Sequence, residues 1–292
     1  LQSRGLGDVY KRQRMDETMK TKYFYNAFNI LYDLVKESLG IFQKEELYRH
    51  ISPARHCQLA ELAALLHFNG SIGVGTTGTF LQIHAENALV VRKCFTLLQK
   101  TFNISTETRV QQENQQTGYF CRIDDPELIL RILQGIKFLD QTGSPTSGEE
   151  SLQDGLRCPV SRLLIRNSCC QRAFLRGAFL AAGSMSNPGK GYHLEIVCSR
   201  PLQAQQILEI LTEFEIEGRI VQRKKYYVVY IKEGAGISDF LNVVEAHVAL
   251  MEFENSRIVR EVRNTVNRRV NCETANITKT VTAAARQVDD IL

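Results

Sequence analysis

Several signatures are missing from this 292-residue sequence, and each absence removes a class of function. No apolar run approaches the ~18 residues that a membrane-spanning helix needs, so no membrane partner is expected. Eight cysteines, at 57, 94, 121, 158, 169, 170, 198 and 272, form no CxxC pair. The N-terminus also lacks a charged region followed by an apolar stretch. Reduced, mostly buried thiols of a cytoplasmic protein follow. The six histidines (50, 56, 67, 84, 193 and 247) include no HExxH or other zinc-like spacing. His56-Cys57 is the only His/Cys neighbour pair, far short of a metal site, so neither a metal nor a small-molecule cofactor is expected. No GxSxG supports a nucleophilic triad.

The remaining composition is that of a globular protein. Apolar residues make up 43% and charged residues 23%, and the length suffices for one large or two medium domains. The formal net charge of +4 says little about partners, because Arg4, Lys11, Arg12 and Arg14 crowd the first fourteen residues. That stretch has no helical or strand period, and its GLGDVYKRQ resembles a translated sequencing adapter. Residues 1–14 are therefore expected to be a non-native leader, and 15–40 an N-terminal extension.

A repeat organises the rest. Cys57-Gln-Leu-Ala and Cys170-Gln-Arg-Ala open matching segments at an offset of 113, which also aligns Gly70-Ser71 with Gly183-Ser184. The same offset sets Leu81, Ile83 and Ala85 against Leu194, Ile196 and Cys198, two alternating strand faces, and then the helix-like 88–101 against 201–214. TRVQQENQQTGYFCRI and GRIVQRKKYYVVYI each read as strand, turn, strand. A closing helix follows, which in the first copy starts on Asp125, Pro126 and Glu127 as N-cap, first-turn proline and dipole-favoured acid. Each copy is thus αββαββα, and the fold class is α+β. The expected units are 41–140 for the first copy, 141–168 for a Gly/Ser-rich linker, and 169–252 for the second copy. Small residues Ala63, Ala64, Gly177, Ala178, Ala181 and Ala182 suit two helix backbones meeting closely at a pseudo-two-fold axis. Gly73-Val-Gly-Thr-Thr-Gly78 satisfies GxGxxG, but it follows a helix and precedes a strand, so it reads as a hairpin turn rather than a dinucleotide site.

Leu62-Ala-Ala-Leu-Leu-His-Phe-Asn-Gly70 and Leu175-Arg-Gly-Ala-Phe-Leu-Ala-Ala-Gly183 resemble the paired helices of the LAGLIDADG homing-endonuclease fold. FLRGAFLAAGSMSNPGKGYHLEIVC and NRRVNCETANITKTV are similar to the WhiA family of bacterial sporulation and cell-division regulators, over roughly residues 40–292. In active nucleases of this fold, the acid before the final glycine binds the metal ions that cleave DNA. The matching positions here are Asn69 and Ala182, and no Asp or Glu lies within 62–72 or 174–186. Catalysis by that mechanism is not expected. His67, on the first of these helices, reads as a satisfied interface histidine.

Basic residues concentrate in two places. Arg219, Arg223, Lys224 and Lys225 crowd the last hairpin of the second copy, beside Tyr226, Tyr227 and Tyr230; lysines at a sheet edge also serve simply to protect it. From Asn255 to Arg286, seven basic residues (257, 260, 263, 268, 269, 279 and 286) face two acids, a net charge of +5. Ile258, Val259, Val262, Val266 and Val270 share one helical stripe, with Arg257, Arg260, Arg263 and Arg268 opposite. Together with Arg269 and Lys279 they are candidate phosphate contacts on double-stranded DNA. Residues 253–292 are expected to form this basic helix and the start of a helix-turn-helix. Asp289 and Asp290 oppose the dipole at a helix C-terminus, so the helix is expected to continue in the natural protein. The resemblance implies a non-enzymatic, nucleoid-associated regulator of cell division, chromosome segregation and sporulation genes, with a co-regulator protein as a further partner. The rival readings are an active homing endonuclease and a protein-interaction or ligand-sensing module that has lost DNA contact.

Overall fold

The computed structural model describes residues 39–291 except 76–77, 105–107, 114–115, 141, 143, 145–155, 157–158 and 187–190. The expected leader and nearly all of the extension lie outside these residues. Helix α1 (Leu39–Arg49) straddles the boundary placed at residue 40.

The first copy runs α2 (Arg55–Asn69), β1 (Gly70–Gly75), β2 (Gly78–Ala85), α3 (Ala88–Phe102), β3 (Thr108–Glu113), β4 (Gln116–Ile123) and α4 (Pro126–Gly135). The second repeats it as α5 (Ser168–Ala182), β5 (Gly183–Met185), β6 (Leu194–Cys198), α6 (Pro201–Glu213), β7 (Arg219–Arg223), β8 (Tyr226–Ile231) and α7 (Gly234–Val243). Each copy forms a four-stranded antiparallel sheet, in orders β1-β2-β4-β3 and β5-β6-β8-β7. The expected αββαββα duplication is present. So is the hairpin reading of the GxGxxG stretch, since Gly75 pairs with Gly78 across an antiparallel β1–β2 ladder.

Helices α2 and α5 form the spine. Neither contains proline or a β-branched residue, and both bury almost their whole circumference, including polar and charged side chains such as Glu61 and Arg176. Gly177 lets them touch: a Cβ there would lie 2.7 Å from the Glu61 carbonyl oxygen and 2.9 Å from the Ala64 Cβ. Ala64 is fully buried. Both helices pass straight into an edge strand through an extended glycine, Gly70 or Gly183. At Gly183 a Cβ would collide with Phe179.

Each sheet lays its alternating apolar residues on the helices: Leu81, Ile83 and Ala85 in one copy, Leu194, Ile196 and Cys198 in the other, all buried. Local caps agree with the sequence. Asn87 accepts from Leu89 N–H at the start of α3, and Asp125 accepts from Glu127 and Leu128 N–H at the start of α4.

Two boundaries differ from those read by composition. The Gly/Ser content of 141–168 conceals an apolar second half: Leu156, Val160, Leu164 and Ile165 are buried, and Val160 exchanges backbone hydrogen bonds with the Gln206 side chain at 2.9 and 2.7 Å. The last helix, α8 (His247–Ile291), begins before residue 253 and runs uninterrupted through the stretch expected to hold the basic helix and the start of a helix-turn-helix. Its 45 residues contain neither glycine nor proline, so nothing local ends it.

Candidate nucleic-acid interface

The two nuclease-like positions close the paired helices. Asn69 is the last residue of α2, and its amide donates to the His84 carbonyl at 3.1 Å. Ala182 is the last residue of α5 and has no side-chain oxygen to offer a cation. An acid does lie on a strand paired with β5, since Glu195 faces Ser184 across the β5–β6 ladder. It is already engaged by Arg223 at 2.8 Å, His193 at 3.1 Å and Ser184 at 3.2 Å. Partial burial would raise its carboxyl, but these three donors hold it below its ordinary value.

The one acid on the helix pair sits elsewhere. Glu61, fully buried on α2, contacts Lys93 of α3 at 3.1 Å and Arg176 of α5 at 3.2 Å. Arg176 continues to the Val244 carbonyl at 3.3 Å and to Glu245 at 2.6 Å, and Glu245 meets His50 at 3.0 Å. Lys93 also donates to the Leu47, Tyr48 and His50 carbonyls. This chain of charges joins α1, both copies and the segment after α7 through the core. Burial pushes Glu61 up and Lys93 down, while each partner's charge pulls the other back toward ionisation. Its members come from five separate places in the sequence, so no local motif announces it.

His67, expected as a satisfied interface histidine, is buried but only half satisfied, since its Nε2 has no hydrogen-bond partner among the described residues. Its Nδ1 donates to the Leu156 carbonyl, and burial depresses its pKa to about 4.

The basic residues divide into those that hold the structure and those that project. Helix α8 is capped by Glu46 of α1, whose carboxylate accepts from Val248 and Ala249 N–H at 2.8 and 3.0 Å. Its first turns bury Ala249 and Phe253. Tyr192 then lies between Phe253, ring centroids 5.8 Å apart, and the Arg260 guanidinium 4.6 Å above it. Arg257 pairs with Glu254 at 2.7 Å and donates to Ser238 at 3.2 Å. The face read as all-arginine thus begins by docking α8 onto the second copy: Arg257, Arg260 and Arg263 are only half-exposed. Beyond residue 263 every described side chain to residue 284 is exposed, including Arg268, Arg269 and Lys279. The predicted apolar stripe is exposed too, with Val262, Val266 and Val270 at 59%, 45% and 50%. Arg269 makes an exposed pair with Glu273 at 3.2 Å, which contributes little.

On the second sheet, register puts Arg219 beside Tyr230 and Arg223 beside Tyr226. Arg219 pairs with Glu217 at 2.9 Å. Lys224 and Lys225 form the tight turn between β7 and β8, Lys224 with a left-handed φ of 54°.

A second cluster lies at the opposite end of the spine. His56, Cys57, Cys169 and Cys170 bring their ligand atoms within 4.8 Å of one another. His56 Nδ1 is 3.2 Å from Cys170 Sγ, 3.3 Å from Cys57 Sγ and 4.0 Å from Cys169 Sγ. The expectation that one His/Cys pair falls short of a site counted only neighbours in sequence. The repeat supplies the missing half, because the 113-residue offset maps His56-Cys57 onto Cys169-Cys170.

Comparison with known proteins agrees with this architecture. Three family models match: the WhiA N-terminal LAGLIDADG-like domain over residues 55–138, the WhiA LAGLIDADG-like domain over 171–263, and the WhiA C-terminal HTH domain over 266–292. A probable cell division protein WhiA of Lachnoclostridium phytofermentans is 48% identical over 85% of this chain and 78% of its own length. Another, of Desulforamulus reducens, is 42% identical over 87% of this chain and 77% of its own. The crystal structure of full-length DUF199/WhiA from Thermatoga maritima covers 85% of this chain and 76% of its own with a TM-score of 0.60 at 22% identity, a likeness of fold. Among the described residues no helix is long and apolar enough to cross a membrane.

Proposed function

The chain belongs to the WhiA family, and on that premise we propose that it is a non-enzymatic bacterial regulator that binds double-stranded DNA in the cytoplasm. Its relatives' name points to cell division; chromosome segregation, transcription control and sporulation genes are the finer roles we assign to it. One observation carries the non-enzymatic reading. The paired helices are intact, yet the positions that would hold cleavage metals are an amide engaged with His84 and a methyl group. Two-metal cleavage needs carboxylate oxygens there, and a neutral amide alone is a poor ligand for a hard cation.

For DNA contact we assign Arg268, Arg269 and Lys279 of the projecting part of α8, within the stretch matched by the HTH model. Arg219, Arg223, Lys224 and Lys225 at the last hairpin form a second patch. Arg257, Arg260 and Arg263 set the direction in which α8 leaves the second copy, and reach phosphates only at its root. The exposed Val266, Val270, Ile277 and Val281 on the same helix suit a co-regulator protein as a further partner. Supercoiled plasmid incubated with the protein and magnesium is the test. Retarded but uncut plasmid is the expected result; EDTA-sensitive nicking that is lost on replacing Asn69 would contradict it.

A further inference from the structure

We propose that His56, Cys57, Cys169 and Cys170 form a structural zinc site that clamps the N-terminal ends of α2 and α5. The donor set is complete. Three thiolates and one imidazole are one of the standard closed zinc spheres, and soft sulfur donors select such a cation over magnesium or calcium.

The spacing fits as well. With Zn–S near 2.3 Å and Zn–N near 2.0–2.1 Å, a tetrahedron places nitrogen about 3.5 Å from each sulfur. The separations from His56 Nδ1 are 3.2, 3.3 and 4.0 Å, which straddle that value. All four ligand atoms lie within 4.8 Å of one another, at most about 1 Å beyond the S–S separation of a tetrahedral zinc–thiolate sphere.

The helix ends favour the charge that results. Two positive charges on the cation against three thiolates leave a single negative charge. His56 and Cys57 lie in the first turn of α2, Cys169 and Cys170 in the first turn of α5. Neither helix has a side-chain N-cap bond or an acid in its first turn, so both positive helix ends face an anionic centre without a competing anion of their own. The site also has an entry path, since His56 and Cys169 are exposed while Cys57 and Cys170 are buried.

This centre is distinct from the lost nuclease centre. From Cys57 to Asn69 the helix rises about 18 Å, so the zinc would join the copies at one end of the spine while Asn69 and Ala182 close the other. A closed four-ligand sphere leaves no open position for substrate, which makes the role structural.

The test uses the full chain, purified with reductant and without chelator. Elemental analysis should find one zinc per chain. After stripping with EDTA, cobalt should produce thiolate-to-metal charge transfer in the near ultraviolet and the intense visible bands of a tetrahedral centre, both displaced by zinc. Zinc should also raise the melting temperature of the stripped protein. Because Cys57→Ser or Cys170→Ser disturbs buried positions, the deciding variants are Cys169→Ser and His56→Gln at exposed positions. Each should fold, lose the tetrahedral spectrum and lose the zinc-dependent rise in melting temperature, while Cys272→Ser keeps all three properties. The site would be overturned by reduced wild type that binds no stoichiometric metal, by a pale octahedral cobalt spectrum, or by a spectrum unchanged in both variants. Recovery of a disulfide among these cysteines from a chain that takes up no metal after reduction would also overturn it, in favour of a thiol redox pair.

Discussion

Replacing Gly177 by alanine sets two effects against each other, and their sizes decide the sign. Alanine is the better helix former by about 1 kcal/mol in a helix interior. Against this, the new Cβ would lie 2.7 Å from the Glu61 carbonyl oxygen and 2.9 Å from the Ala64 Cβ, where ordinary contact begins at 3.4 Å. The helices must therefore separate locally by about 0.7 Å. One of the two obstacles is backbone, so no rotamer change relieves it. The strain also falls on the Arg176–Glu61 contact of 3.2 Å, one residue away. Overpacking of this kind costs about 1–3 kcal/mol, more than propensity returns where the obstacle is rigid. The expected net loss is up to about 2 kcal/mol, or several degrees of melting temperature at roughly 2–4 °C per kcal/mol for a chain of this size. Urea unfolding of wild type, Gly177→Ala and the Gly177→Ala/Ala64→Gly double variant would measure it. Set beside Ala64→Gly alone, which loses about 1 kcal/mol of propensity, the double variant should cost less than the sum of the two single changes, since it removes one of the two contacts. A Gly177→Ala protein more stable than wild type by the full propensity gain of about 1 kcal/mol would mean that the helices do not approach as described.

Glu61→Gln should cost about 3–5 kcal/mol, because it leaves Lys93 buried without its anion and Arg176 with Glu245 alone; a loss under about 1 kcal/mol in denaturant titration would show that the surrounding carbonyls and Glu245 suffice for both cations. His67 should make the fold acid-sensitive. Its native pKa of about 4 lies below the ordinary 6.5, so its contribution is full above pH 6.5 and is lost as pH falls toward 4. The full span corresponds to about 3 kcal/mol, and His67→Gln should flatten the stability profile across that window; identical profiles for the two proteins would refute the assignment.

The duplication was legible because helices and strands keep their spacing across 113 residues: Gly70 and Gly183 both end an apolar helix, and Leu81-x-Ile83-x-Ala85 returns as Leu194-x-Ile196-x-Cys198. The charge network was not. Glu61 stands one residue before the acid-free window, and only folding brings it to Lys93, Arg176 and the segment holding Glu245. The His/Cys cluster occupied an intermediate place. Its two halves are unremarkable neighbours in sequence, but the repeat offset superimposes them, and a pseudo-two-fold axis between helix starts then brings them together. Arg257 and Arg260 mislead for a related reason. Helical periodicity assigns them a face, but it carries no information about Tyr192 or Ser238, which that face meets. The buried Leu156 and Val160 escaped a composition-based linker because the Gly/Ser residues before them dominate the average.

The central claim, that the projecting basic helix contacts phosphates, is tested most directly by the salt dependence of duplex binding. With Arg268, Arg269 and Lys279 each neutralising one phosphate, these contacts should make log affinity fall against log salt with a slope of roughly −3. Binding should be nearly independent of sequence where these contacts dominate, since phosphate contacts position a protein without reading bases. Replacing Arg268, Arg269 and Lys279 together by glutamine should flatten the slope by about 2–3. It should leave the melting temperature unchanged, because all three side chains are exposed. A folded triple variant that binds duplex DNA as tightly as wild type, with the same slope, would contradict the claim.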